Sequence, residues 1–267
     1  MPEPRERSAS SDDTSRQQSA DRVLVAACVA LIAGVSIPIL AYGYGRDQGI
    51  FAMVARALLA GDMPYRDAWD FKPPGIFVIY AAARALFGVS QAGIRILEVT
   101  GLVAMTIVMS CLTQRFWGEW RIGLLGAAIG ILVHAQLDFW HTAQPESFGG
   151  MLTIFALSIG TRQTPSKAGR ALSWIAAGAL FGAAGLLKPP LAGGAAVLAA
   201  ALAFDEQENV SGAGKSRFSA AIWPVFAVGL GGAACLGACA LWFFARGALT
   251  DLIEVLFVFT PHYAPRG

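Results

Sequence analysis

Charged residues are scarce in this chain, and their scarcity excludes most classes of soluble protein. Asp, Glu, Lys and Arg make up 14% of the 267 residues, whereas soluble domains carry about 25%. The formal net charge is only +2, so no strong field attracts nucleic acid, and we expect no nucleic-acid partner. Hydrophobic residues make up 55% of the chain, which indicates a protein of the membrane.

Cysteine and histidine are few as well, and their spacing excludes the common metal sites. The chain has 4 cysteines and 3 histidines, and their separations match no zinc site or redox motif. Because every cysteine lies inside an apolar run, we interpret them as small packing residues and expect no disulfide framework. These cysteines are Cys28, Cys111, Cys235 and Cys239.

Apolar runs of near-spanning length recur from Val23 to Phe259. A run of about 20 apolar residues crosses the hydrocarbon core of a bilayer. The sequence therefore predicts an all-α fold, a polytopic membrane helical bundle with about seven spans. Gly126-x3-Gly130 and Gly178-x3-Gly182 predict close helix packing within it. The predicted spans are Val23–Tyr42, Ile94–Thr113, Ile122–Leu137, Ser147–Gly160, Leu172–Leu187, Leu191–Phe204 and Ala220–Phe244.

The start of the chain differs from the rest in composition. Residues 1–22 are rich in Ser, Asp, Arg and Gln and almost free of apolar residues, so we expect a disordered cytoplasmic tail. The run Val23–Tyr42 is longer than a signal-peptide core and lacks a small-residue cleavage site before Gly43, which is typical of an uncleaved signal anchor. We assign residues 23–267 to one transmembrane domain.

The stretch after the first span, residues 43–93, should form an outer loop with two short amphipathic helices. In "DQGIFAMVARALLA" the apolar residues share one helical stripe, with Asp47 well placed as N-cap and Gly61 as the stop. Lys72-Pro73-Pro74 then opens a second apolar piece, Gly75–Gly88, whose length of about 14 residues is too short to cross about 30 Å. We predict that both helices lie in the membrane interface. The alternative, a short tilted span at Gly75–Gly88, would invert the topology downstream.

Cations are divided unequally between the two sides of the predicted bundle. The outer loop at residues 138–146 holds no Lys or Arg, and the next outer loop holds only Lys188. This asymmetry follows the positive-inside rule, so we expect an integral protein of the plasma (inner) membrane whose N-terminus is cytoplasmic. The inner loops hold Arg115, Arg121, Arg162, Lys167, Arg170, Lys215 and Arg217.

Ionisable residues from separate loops fall on the outer face in this topology, where they could converge above the bundle. Asp47 is a candidate catalytic base, and a helix cap is the simpler interpretation. Lys72 and Lys188 each precede Pro-Pro, and this repeat on one side favours a phosphate site over two membrane anchors. The same face carries Asp67, Asp70, Asp138, His141, Glu146 and His262, with Arg46, Arg56 and Arg84 as supplementary cations.

The segment "LDFWHTAQPES" offers a second group of candidates. Asp138, His141 and Glu146 have the chemistry to bind a divalent metal ion, although their spacing matches no specific metal motif. Phe139 and Trp140 should anchor the loop at the interface. The apolar runs hold almost no buried charges, which disfavours a transporter with charges at mid-membrane.

The order of these segments resembles the polyprenyl-phosphate-sugar-dependent glycosyltransferases of the C-type membrane fold. The likeness is strongest to the branch of the dolichyl-phosphate-mannose–protein mannosyltransferases and the aminoarabinose transferases. It runs from about Tyr42 to Phe204, and its most specific part is the first of the matching stretches. Those stretches are "GRDQGIFAMVARALLAGDMPYRDAWDFKPPG", "RFWGEWRIGLLGAAIG", "AQPESF" and "GLLKPP".

The resemblance implies transfer of a hexose or pentose from a polyprenyl phosphate to a protein, lipid or glycan hydroxyl outside the cytoplasm. It assigns Asp47 as the catalytic base and Lys72, Lys188 and Arg56 as cations for the donor phosphate. Contacts to the acceptor or to a divalent metal ion would come from Asp70, Asp138, His141 and Glu146.

The chain departs from the family in two respects. Some members have Glu directly before the Lys-Pro pair, where this chain has Phe71, with Asp70 one residue earlier. Members also continue well beyond this length, so we expect that a C-terminal part is missing. Two alternatives to an enzyme stay open: a non-catalytic carrier of lipid-linked intermediates, and an inactive truncated remnant.

Overall fold

The structure, a computed structural model, describes residues 4–209 and 217–263, and within these residues it contains helices and no strand. This confirms the all-helical fold class. The helices are α1 Pro4–Ala41, α2 Arg46–Ala60, α3 Gly75–Phe87, α4 Ala92–Trp117, α5 Trp120–Gln136, α6 Pro145–Gly160, α7 Lys167–Gly185, α8 Gly194–Asn209, α9 Arg217–Ala245, α10 Leu249–Ile253 and α11 Thr260–Tyr263. A 3₁₀ turn, Pro189–Gly193, precedes α8, and a π-helical segment, Glu254–Phe259, joins α10 to α11.

Among the residues that the structure describes, three helices are long and apolar enough to cross a membrane: Ser15–Ala41 within α1, α4, and Ala221–Ala245 within α9. The helices α5, α6 and α8 have 17, 16 and 16 residues, which at about 1.5 Å per residue falls short of the hydrocarbon core. The three long helices are compatible with a membrane protein. The larger number of seven spans is not established by helix length.

The first helix begins well before the predicted first span. Whereas the composition of residues 1–22 predicts disorder, α1 starts at Pro4 and continues without a break to Ala41. Near the start of the apolar part, Asp21 Oδ1 lies 2.5 Å from Nη2 of Arg121 at the start of α5. This ion pair holds the polar part of the helix against its neighbour.

The helix α2 covers the whole stretch predicted to be helical, 47–60, and begins one residue earlier. Its N-cap is Gly45, in extended conformation, and Asp47 lies in the first turn without capping the helix, so the predicted N-cap position is wrong by two residues. A carboxylate in the first turn is still stabilised by the positive end of the helix dipole. Gly61 ends the helix with φ +100°, as predicted for a glycine stop. Phe51 and Val54 are buried, whereas Leu59 is exposed.

Close packing of α7 on α9 depends on glycine, as predicted for one of the two glycine motifs. A Cβ added at Gly178 would collide with the carbonyl oxygen of Val228, and one added at Gly182 would lie 2.9 Å from Cβ of Cys235. The other motif has no such role: an added Cβ at Gly130 would meet nothing within 4 Å. In α5 the close approach is made instead by Gly123, whose added Cβ would collide with Met109.

Candidate functional site

The two Lys-Pro-Pro elements lie directly against each other. The backbone N–H of Gly75, which follows Lys72-Pro73-Pro74, donates a 2.8 Å hydrogen bond to the carbonyl of Leu186, two residues before Lys188. A Cβ at Gly75 would lie 2.7 Å from that carbonyl oxygen, so only glycine permits this approach. The start of α3 and the end of α7 thus bring the two lysines to one place.

A polar cavity of about 690 Å³ lies beside this junction. Asp47 from α2 and Lys72 border it on one side, and the loop between α5 and α6 borders it on the other. From that loop and the ends of its two helices come His134, Trp140, His141, Gln144 and Glu146. Arg46, a supplementary cation in the sequence analysis, also lines the cavity.

Lys188 reaches the same cavity through Glu146. Its ammonium group donates a hydrogen bond to Oε1 of Glu146, and both side chains are about half exposed. Burial alone would raise the pKa of the Glu146 carboxyl, but the hydrogen bond from Lys188 and the charges of Lys188 and Lys72 outweigh it, so its pKa is lowered. Glu146 therefore lies between two ammonium groups as a carboxylate.

A second cavity of about 430 Å³ adjoins the first and is almost entirely apolar. Lys72 and Glu146 line both cavities, so charged groups stand at the mouth of an apolar groove. The groove lies between the two Lys-Pro-Pro elements, α9 and the π-helical segment. Its apolar lining includes Phe71, Pro74, Leu186, Leu236, Leu256 and Phe257.

Asp70 is a buried carboxylate behind Lys72. It is 5% exposed; its Oδ1 accepts a 2.7 Å hydrogen bond from the backbone N–H of Phe71, and its Oδ2 has no partner. Burial raises its pKa, and the charge of Asp47 adds to the effect against the lowering influence of the Phe71 N–H and of Lys72. Asp70 thus shapes the turn that carries Lys72 rather than lining the cavity.

Two predicted site residues lie elsewhere. Arg56 is exposed on α2 and lines neither cavity. Asp138 is exposed at a left-handed backbone position, φ +66°, where Oδ1 accepts a hydrogen bond from the N–H of Phe139. The described residues contain no group of three or more His, Cys, Asp or Glu side chains able to hold a metal ion, so Asp138, His141 and Glu146 do not assemble a metal site.

Other charged residues of the predicted outer face have structural partners. Asp67 pairs with Arg66 at 2.8 Å, and the hydrogen bond from Arg66, with that from the N–H of Met63, lowers the pKa of Asp67 to about 2. Arg66 also donates to the carbonyl of Arg246, which ties the first outer loop to the end of α9. His262 contacts the carbonyl of Val258 at 2.6 Å.

The expectation that the apolar runs hold almost no buried charges is wrong for α4. Arg95 and Glu98, in its first two turns, are both 0% exposed and lie 3.7 Å apart. A buried ion pair is tolerated only with further hydrogen bonds, and here the loop before α6 supplies them. In the sequence, the feature that could have indicated this buried ion pair is the occurrence of two opposite charges three residues apart at the start of an apolar run.

Comparison of the chain with protein-family models, with curated proteins and with solved structures finds no match.

Proposed function

We propose that this chain transfers a sugar from a polyprenyl phosphate to an acceptor hydroxyl on the outer face of the membrane, with inversion at the anomeric carbon. The observation that carries the proposal is the junction of the two cavities. A lipid-linked sugar phosphate has an apolar tail, an anionic centre and a polar head, in that order. The apolar groove, Lys72 and the polar cavity follow one another in the same order.

The departure of the leaving group in this reaction needs little help from the protein. A polyprenyl phosphate departs as a stabilised anion, so no strong general acid is needed, unlike in glycosidases, which use two carboxylates. In a single displacement the acceptor oxygen bonds to the anomeric carbon as the bond from that carbon to the phosphate oxygen breaks. Asp47 accepts the proton of the acceptor hydroxyl, and Lys72 and Lys188 stabilise the charge that develops on the phosphate.

The polar cavity has the residues to hold the transferred sugar. Trp140 is 51% exposed and borders the cavity, and a flat aromatic face suits the apolar side of a sugar ring. His141 and Gln144 supply donors and acceptors for sugar hydroxyls.

The proposal includes the finer membrane topology, with about seven spans, a cytoplasmic N-terminus and α2 and α3 lying in the outer interface of the plasma (inner) membrane. It is supported by the convergence of the outer-face residues Asp47, Lys72, Glu146 and Lys188. Cysteine substitutions at positions 47 and 188, made in a chain whose native cysteines are replaced, test it with an impermeant thiol reagent. Labelling of both positions from outside is expected, and labelling from opposite sides would refute it.

The direct test of function is to incubate membranes containing the full chain with a radiolabelled polyprenyl-phosphate sugar and to follow the label. Transfer to protein, lipid or glycan in an Asp47-dependent manner is expected. Membranes without the chain are the control. Retention of all label on the carrier lipid, with every acceptor class present, would contradict the proposal.

The second candidate is a non-catalytic carrier of lipid-linked intermediates, and the buried pair Arg95–Glu98 is the feature that raises it. Transporters often hide charges near the middle of the membrane on broken helices. Here the pair lies in the first two turns of α4 and is bonded to a loop at that end, which favours a structural use. Movement of the labelled donor between leaflets without transfer would select the carrier.

A further inference from the structure

A cluster of buried polar side chains from the three helices α2, α3 and α4 contacts the loop between α5 and α6. Gln48, next to Asp47 in α2, is 0% exposed, and its Nε2 donates to the carbonyls of Phe139 at 2.8 Å and Thr142 at 3.0 Å. Arg95 of α4 donates from Nη1 to Oγ1 of Thr142 at 2.5 Å. Burying an amide or guanidinium group without hydrogen bonds costs free energy of folding. Because a displaced loop would lose these bonds, the contacts hold the loop in place.

Ala143 is the most tightly held residue of this loop. It is 0% exposed and has φ +52°, a left-handed conformation that a residue with a Cβ seldom adopts. Its N–H donates to Oε1 of Glu98 at 2.5 Å, and its carbonyl accepts from the hydroxyl of Tyr80 at 3.0 Å. Such a conformation persists only where the surroundings determine it, and here side chains of α4 and α3 bond it from both sides.

The same cluster reaches both walls of the polar cavity. Nη2 of Arg95 donates to the carbonyl of Gly43, at 2.9 Å, in the segment that leads into α2 and Asp47. Oε1 of Glu98 lies 3.1 Å from Nε2 of His134, which lines the cavity itself. A single group of buried residues therefore fixes the side of the cavity that carries Asp47 relative to the loop that carries His141 and Glu146.

We propose that Glu98 is a positioning residue of the cavity, which fixes the loop carrying His141 and Glu146 through the N–H of Ala143 and, with Arg95, sets this loop's distance from Asp47. Glu98 does not line the cavity, so it acts through the residues that do. The structural part of this inference stands alone, and its kinetic consequence rests on the proposed function.

Hydrogen exchange followed by mass spectrometry on the full chain in nanodiscs tests the structural part without any substrate. Glu98→Ala removes the acceptor for the Ala143 N–H, so amides of residues 139–147 should exchange at least about tenfold faster, with α7 and α9 unchanged. Glu98→Gln keeps an oxygen acceptor and should restore much of the protection. Unchanged exchange of this loop in Glu98→Ala would overturn the proposal.

Two further variants keep the test decisive if Glu98→Ala fails to fold. Tyr80→Phe removes only the hydroxyl that bonds the Ala143 carbonyl and should also speed exchange in the loop. Glu206→Ala is the matched control, because it removes a carboxylate that lies 3.6 Å from Arg170, in the part of the bundle near the start of α7. Exchange of the loop in Tyr80→Phe no faster than in Glu206→Ala would also overturn the proposal.

The kinetic consequence separates positioning from simple loss of structure. Glu98→Ala should lower kcat for sugar transfer by roughly tenfold or more with little change in the donor KM, since the groove and Lys72 are untouched. Glu98→Gln, which keeps an oxygen acceptor for the Ala143 N–H, should recover much of this loss. A raised donor KM with an unchanged kcat in Glu98→Ala would count against positioning. If the wild-type chain transfers no sugar, the proposed function fails, whereas the exchange measurement still decides the role of Glu98.

Discussion

Lys188 donates a hydrogen bond from its ammonium group to Oε1 of Glu146, which joins the end of α7 to the first turn of α6. In the proposed mechanism the donor phosphate binds this ammonium group, which in the structure is already hydrogen-bonded to Glu146. The carboxylate thus stands where an anion is expected to bind. When the donor binds, Lys188 must therefore either leave Glu146 or bond to Glu146 and the phosphate at once.

This competition predicts the effect of neutralising Glu146. Glu146→Gln leaves a weaker hydrogen-bonding partner for Lys188, so the KM for the polyprenyl-phosphate donor should fall by a factor of about 3–10. The measurement is initial transfer rate against donor concentration. A KM raised by the substitution would mean that Glu146 binds the donor rather than competing with its phosphate.

The base is tested by removing one of two carboxylates on the same face. Asp47→Asn should lower transfer by about 10²–10⁴-fold, the usual contribution of a general base, with expression unchanged. Asp138→Asn is the matched control, because Asp138 is exposed and outside both cavities. Near-normal transfer by Asp47→Asn would reject its assigned role.

The phosphate site is tested by comparing two cations of the first outer loop. Lys72→Met should weaken donor use by about tenfold or more, because Lys72 borders both cavities and its charge acts at the phosphate. Arg56→Met should leave transfer within about twofold of wild type, since Arg56 faces away. Equal losses in kcat/KM for the two variants would contradict the assignment.

The buried carboxyl of Asp70 predicts a pH dependence of stability. Because its folded-state pKa is raised, its contribution to stability is present below the ordinary pKa of Asp and is lost as the pH rises through the raised value. The Tm of the wild type should therefore fall relative to that of Asp70→Asn as the pH rises above the ordinary pKa of an aspartic acid. Thermal unfolding of the detergent-solubilised full chain measures this, and an offset that stays constant over the range would contradict it.

Helix packing gives a prediction that does not depend on function. Gly178→Ala places a methyl group against the carbonyl of Val228 and should destabilise the protein by about 1–3 kcal/mol. Gly130→Ala adds the same methyl group in open space and should be tolerated. Unfolding midpoints of the two variants provide the comparison, and equal midpoints would mean that α7 and α9 do not pack as described.

Much of the candidate site was predictable from the sequence because it depends on chain order and on the ends of apolar runs. Lys72 and Lys188 each stand at such an end before Pro-Pro, and Glu146 opens the run that faces them. The position of Arg56 outside both cavities was predictable too. It follows Asp47 by nine residues, which at about 100° per residue places it about 180° away, on the opposite face of α2.

The sequence shows the charged pair Arg95 and Glu98 but not its burial, because the groups that bond this pair come from other parts of the fold. Apart from each other, Arg95 and Glu98 bond to groups that are distant in the chain. Gly43, Thr142 and Ala143 lie 45 to 52 residues away, and His134 lies 36 residues from Glu98. For this reason the expectation that the apolar runs hold almost no buried charges was wrong for α4. The start of α2 was misplaced for a simpler reason, because Gly45 can serve as N-cap as well as Asp can.

The hydrogen bond from Gly75 to Leu186 has a consequence for how this protein could diversify. The approach of the two Lys-Pro-Pro backbones is set by main-chain atoms at a point where no side chain fits, so it cannot be tuned by gradual change in the flanking loops. In the proposed mechanism, variation in the anion accepted must instead come from the lengths of the cationic side chains or from position 146. A relative with a residue other than glycine at position 75 would need a different contact between the start of α3 and the end of α7.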